Sequence, residues 1–268
     1  MKKRDIFKIK VKIIVLIIIS ILALVIVFAT LKTVKYIVNV AQNRKIAERV
    51  SKYVTSSETD GQGNAPNVNV DFGKLKAENP DTVGYLKVNG TEIDDVVVQC
   101  KDNNYYMYHN FELKKNKAGW IFADYRNKFD GTDKNIVIYG HNMRDGSMFS
   151  SLKNILEKEW QDNEANRRIT FVTENEKCIY EVFSVYQIES EDYYIQTDFA
   201  TDVDYQRFIS TIKARSQKFF RVNVTGQDSV LTLSTCANNN KYRVVLHARK
   251  LQPWYFSSII VESRYIVL

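Results

Sequence analysis

Residues 13–31 form an apolar run of 19 residues, broken only by Ser20 and Thr30 and free of charged side chains. As a helix this run rises roughly 28 Å at ~1.5 Å per residue, close to the thickness of a bilayer's hydrocarbon core. A cleaved export signal carries a shorter apolar stretch, about 7–15 residues, and ends in a small-residue processing site. This run is longer and no such site follows it, so the expectation is an uncleaved transmembrane anchor. Lys2, Lys3, Arg4, Lys8, Lys10 and Lys12 precede it, while Lys32, Lys35, Arg44, Lys45 and Arg49 follow it. The positive-inside rule then puts residues 1–12 in the cytoplasm and the body of the chain outside the cell.

The formal net charge is +7, with 38 Lys and Arg against 31 Asp and Glu. Residues 1–50 hold eleven of the basic residues and only two acids, Asp5 and Glu48, for a net +9, which leaves −2 on residues 51–268. A phosphate-binding surface needs its positive charge on the folded body, so nucleic acid is not an expected partner. The three cysteines, Cys100, Cys178 and Cys236, cannot all pair within one chain. No C-x-x-C spacing occurs, which removes the motif of zinc and thioredoxin-like sites. A disulfide between Cys100 and Cys178 stays open, and at least one thiol remains unpaired.

After the anchor, residues 32–55 are rich in helix formers and read as a stalk, and residues 56–69 (SSETDGQGNAPNVN) have the composition of a linker. The body, residues 71–251, is dominated by strand patterns. Residues 83–88, 92–99, 119–124, 135–139, 168–173, 177–189, 229–235 and 242–251 all read as extended, with Asn89-Gly90 as a two-residue hairpin signal. Helical spacing is confined to 147–160 and 202–219. Eight strands with interrupting helices predict a mainly β chain closed into a barrel, because closure removes exposed strand edges. The tail, residues 252–268, is too short and interrupted to cross a bilayer.

Cys236 ends a strand pattern and opens the polar loop 237–241 (ANNNK), a rigid yet accessible place for a thiolate nucleophile. His141 occupies the same kind of position, after IVIYG and before a polar turn. Arg243 opens the strand after the cysteine loop, where a guanidinium would stabilise a thiolate or an oxyanion. His247 is a rival base, although it lies roughly 13 Å along the strand from Arg243.

These residues resemble a class B sortase. The TLxTC signature stands as Thr232-Leu233-Ser234-Thr235-Cys236, and Tyr242-Arg243-Val244-Val245 follows as the basic strand. Residues 139–152 (YGHNMRDGSMFSSL) look like the histidine segment of that class, and 79–99, 102–111 (DNNYYMYHNF) and 119–126 (GWIFADYR) follow its pattern. The likeness covers about residues 71–251. It implies an eight-stranded sortase barrel with N-terminal helices and an extra helix, 202–219, before the cysteine strand. It also implies His141, Cys236 and Arg243 as the catalytic trio, and Ser234, Asn103 and Met107 as substrate contacts. The implied partners are surface proteins bearing a C-terminal sorting signal and an amine on a lipid-linked peptidoglycan precursor, with no metal or organic cofactor. One departure is that members of the class often carry an acid just after the cysteine, whereas Ala237 and Asn238 are neutral.

Two other classes compete with this reading. One is a non-catalytic surface-binding or scaffold protein on the same barrel. The other is a papain-like protease, whose cysteine precedes its histidine; here His141 precedes Cys236, the reverse order.

Overall fold

The computed structural model describes residues 3–56, 68–236 and 241–251, with the backbone alone at 3–6, 8, 9 and 236. The 252–268 tail and most of the 56–69 linker lie outside the described residues. The chain divides into two compact units, Met1–Gln42 and Asn43–Leu268. Helix α1 (Lys3–Val50) contains the whole apolar run. It is the one described helix long and apolar enough to cross a membrane, and none of its most apolar window is buried by protein.

The expected stalk and linker end in local structure. A 3-10 turn (Ser51–Tyr53) leads to β1 (Val54–Ser56), which pairs antiparallel with β2 (Val68–Val70). Helix α2 (Phe72–Glu78) starts at Asp71, whose carboxylate accepts the Lys74 N–H at 3.0 Å and satisfies one free donor of the first turn.

Eight strands then close a barrel in the order β10-β8-β7-β3-β4-β5-β6-β9. They are β3 (Thr82–Val88), β4 (Asp94–Val98), β5 (Phe122–Ala123), β6 (Asn135–His141), β7 (Arg168–Val172), β8 (Lys177–Glu189), β9 (Val230–Cys236) and β10 (Tyr242–Lys250). The barrel expected from the strand patterns is therefore present, with the short β5 in place of the longer run at 119–124. The Asn89-Gly90 hairpin also forms, but its turn is wider than two residues. Lys87 pairs with Asp94, and the Val88 N–H reaches the Ile93 carbonyl at 3.0 Å. Thr91 causes this: its hydroxyl donates to the Val88 carbonyl and accepts from the Ile93 N–H, a side-chain turn inside the loop.

Both helical expectations shorten. Residues 147–160 form a 3-10 helix (Ser150–Leu156), an extended Glu157 and a short α3 (Lys158–Asp162). Leu152, Ile155 and Trp160 are still buried, and the Trp160 indole donates to the Asn89 carbonyl at 3.0 Å. Helix α4 (Asp202–Ala214) stops five residues early because Gln217 donates its N–H to the Val185 carbonyl of β8. Its buried face is Tyr205, Phe208, Ile209 and Ile212, while Val203 and Phe219 are exposed. The Ser184 hydroxyl of β8 donates to the Ile212 carbonyl at 2.6 Å, so α4 covers that strand. This explains why β8 is buried almost throughout instead of alternating.

Candidate active site

Strands β6 and β9 run parallel, so their C-terminal ends emerge at the same rim. The register is unbroken from Asn135↔Val230 to His141↔Cys236, which makes the histidine and the cysteine direct neighbours across adjacent strands, ~4.8 Å apart in such a ladder. On the other side of β9, the antiparallel β10 pairs Val245 with Ser234. The paired register ends there, two residues after Arg243 in β10. The Val244 N–H there donates to the Thr235 hydroxyl at 3.0 Å. His141 and Cys236 are thus paired at the end of the β6–β9 ladder, and Arg243 lies on the other side of β9, where it lines the same space as Ser234 and Thr235.

His141 is buried, and its Nε2 lies 2.8 Å from the Met107 carbonyl. A carbonyl only accepts, so Nε2 carries the proton in this arrangement. Gly119 packs directly behind the ring. It has φ +59°, and a Cβ there would lie 2.4 Å from the Tyr106 carbonyl and 3.1 Å from His141 Cδ2. A side chain at residue 119 is excluded both by backbone conformation and by space.

Beside this rim lies a cavity of about 530 Å³, within the range of small-ligand and peptide sites. Ser234, Thr235 and Arg243 line it, as do Asn103 and Met107, so all three residues expected to touch substrate face the same space as the arginine. Tyr139, Tyr194 and Ile195 also line it, and the Tyr194 hydroxyl bonds the Ser234 hydroxyl at 3.0 Å. Residue-by-residue reading missed these. Tyr139 was legible in principle, because it precedes His141 by two and strand alternation places both on one face. Tyr194 sits in an irregular loop, with a three-residue 3-10 turn (Tyr193–Ile195) that has no periodic signal.

The rival base is ruled out by its surroundings. His247 is fully buried, with Nε2 2.8 Å from the Tyr186 hydroxyl and Nδ1 2.9 Å from the Thr232 hydroxyl. Burial pushes its pKa down to about 3, so it is a neutral core imidazole. His109 stacks on Tyr105 with ring centroids 4.0 Å apart and bonds the Tyr105 carbonyl, away from the cavity lining. Cys100 and Cys178 are both free thiols, which closes the disulfide possibility. Burial, reinforced by Glu176, pushes the Cys178 thiol up to about 12, where it is inert as a nucleophile.

Comparison with known proteins agrees with this geometry. A family model described as the sortase domain matches residues 86–251. Sortase B of Listeria monocytogenes is 42% identical over 170 residues, covering 63% of this chain and 68% of that protein. The crystal structure of sortase B from B. anthracis in complex with AAEK2 is similar with a TM-score of 0.69 at 35% identity, covering 79% of this chain and 97% of that one. A Staphylococcus aureus sortase B–substrate complex is similar with a TM-score of 0.64 at 35% identity, covering 68% of this chain and 85% of that one. With its closed eight-stranded barrel and its cysteine strand, the chain belongs to the sortase family and, within it, to class B, and it is a cysteine transpeptidase.

Proposed function

We propose that this chain is a membrane-anchored sortase that cleaves an NPxTx-like C-terminal sorting signal after its threonine and transfers the protein to a peptidoglycan amine. Residues 13–31 serve as the anchor, with 1–12 cytoplasmic and the catalytic domain, 71–251, outside the cell. The observation that carries the chemical reading is the pairing of His141 with Cys236 at the end of the β6–β9 ladder, with Arg243 across β9. The S. aureus relative forms a substrate complex; for this chain, the 530 Å³ cavity lined by Ser234, Asn103 and Met107 is the corresponding place for a sorting peptide.

In this reading the Cys236 thiolate attacks the threonine carbonyl, forming a C–S bond and a tetrahedral oxyanion. Arg243 and backbone N–H groups stabilise that charge. The C–N bond then breaks, His141 protonates the departing amine, and a thioacyl-enzyme remains. The acceptor amine attacks the thioester and gives its proton to His141, and the C–S bond breaks to restore the thiolate. Removing a group that stabilises an oxyanion costs about 10²–10³ in kcat, so Arg243→Ala is expected to fall by that order. Incubating the full chain with a sorting-signal peptide and a glycine-based amine, followed by mass spectrometry, tests the reading. Peptide cleavage with amine capture is expected, whereas hydrolysis alone, or no cleavage, contradicts transfer.

A further inference from the structure

Asp124 follows β5 behind the cavity, and its side chain has no solvent exposure. Five hydrogen bonds converge on its carboxylate. Oδ1 accepts the Arg126 N–H at 3.0 Å and Nε at 2.8 Å. Oδ2 accepts Arg126 Nη2 at 2.7 Å, Asn103 Nδ2 at 2.9 Å and the Tyr139 hydroxyl at 2.8 Å. Arg126 Nη2 also donates to the Ile195 carbonyl at 2.8 Å. Asn103, Tyr139 and Ile195 come from three separate stretches of chain, and each lines the cavity, while neither Asp124 nor Arg126 does.

We propose that the Asp124–Arg126 pair is the positioning unit of the peptide-binding wall, holding Asn103, Tyr139 and Ile195 in one fixed arrangement without touching substrate. The inference rests on the cavity being the sorting-peptide site. Three physical features support it. A buried carboxylate with every lone pair engaged acts through directional bonds, so it fixes the amide of Asn103 and the ring of Tyr139 in orientation as well as in place. The planar guanidinium of Arg126 engages both oxygens of that carboxylate in a fixed fork and also reaches a carbonyl on another loop; a lysine ammonium lacks that fixed fork geometry. The loop itself depends on such donors. Asn135 Nδ2 holds the Tyr194 carbonyl at 3.3 Å and the Gln196 carbonyl at 2.8 Å, so three consecutive carbonyls, 194–196, hang on the side chains of Asn135 and Arg126.

The test uses the full chain in detergent micelles, with Arg126→Lys and Asp124→Asn compared with wild type. Three quantities are read: KM and kcat for a sorting-signal peptide, and the rate at which iodoacetamide, too small to need the peptide wall, alkylates Cys236. A loss of ground-state positioning is expected to raise KM about tenfold with kcat and the alkylation rate within about threefold of wild type. Should those variants fail to fold, Tyr139→Phe removes one donor to the carboxylate and is expected to raise KM about threefold. An unchanged KM in folded variants overturns the proposal. Parallel falls in kcat and alkylation also overturn it, because the pair would then act on the catalytic rim. A wild-type chain that ignores the peptide is a separate result, which removes the peptide reading of the cavity and the proposal with it.

Discussion

Two histidines on strands that flank β9 show how environment assigns role. His141 sits at the rim with Nε2–H on a main-chain carbonyl, beside the cavity and across from Cys236. His247 is sealed in the barrel between two hydroxyls, one of which it accepts from and one to which it donates. The folded pKa of His247, about 3, lies below the unfolded value of about 6.5. Between those values the unfolded chain binds the extra proton, so stability is full above about pH 6.5 and is lost as pH falls toward 3. At about 1.36 kcal/mol per unit, the loss from pH 7 to pH 5 is about 2 kcal/mol for this group. Asp95 works in the opposite direction over the same range, because burial beside Asp94 pushes its carboxyl up to about 7. Its stabilising contribution is lost as pH rises. Denaturant midpoints must therefore be compared between wild type and His247→Gln. The variant is expected to lack about 2 kcal/mol of the pH 7 to pH 5 decline, and parallel curves would refute the neutral buried imidazole. The sequence made His141 readable as a strand-end residue before a polar turn. It left His247 open, since an alternating strand pattern does not reveal that hydroxyls from β8 and β9 close around the ring.

At the scale of elements, the barrel was legible because β-branched and aromatic residues recur with period 2 between Gly, Asn and Asp clusters. Helix ends were not, because tertiary hydrogen bonds set them. Gln217 leaves α4 for the Val185 carbonyl, and Glu157 breaks the 147–160 segment with an extended backbone. The start of α4, by contrast, is local: the Thr201 hydroxyl accepts the Asp204 N–H at 3.1 Å, with Asp202 and Asp204 in the first turn. Thr201→Ala is expected to cost about 1 kcal/mol, read as a lowered denaturant midpoint with peptide turnover retained. Strand β6 carries a tighter constraint. A Cβ on Gly140 would lie 2.5 Å from Phe149 Cγ, one residue before His141. Gly140→Ala is expected to cost about 1–3 kcal/mol by overpacking and to lower kcat through displacement of the histidine. A variant with wild-type kcat would show that His141 tolerates movement of its strand.

For the whole molecule, connectivity does the assembling. His141 and Cys236 are 95 residues apart in sequence, and only the parallel β6–β9 pairing makes them neighbours; β10 then returns Arg243 to the same rim. Spacing alone offered three strand-end residues in order, and resemblance to a family supplied the reason to group them. The cavity wall was least legible, since Tyr139 meets Asp124, and Tyr194 meets Ser234, only after the barrel closes. The most direct measurement of the central claim is the intact mass of the full chain quenched during turnover of a sorting-signal peptide. The account predicts one acyl adduct, mapped to Cys236, released by added amine and absent from Cys236→Ala, which has no turnover. Turnover by Cys236→Ala, or an adduct on Cys100 or Cys178, would contradict it.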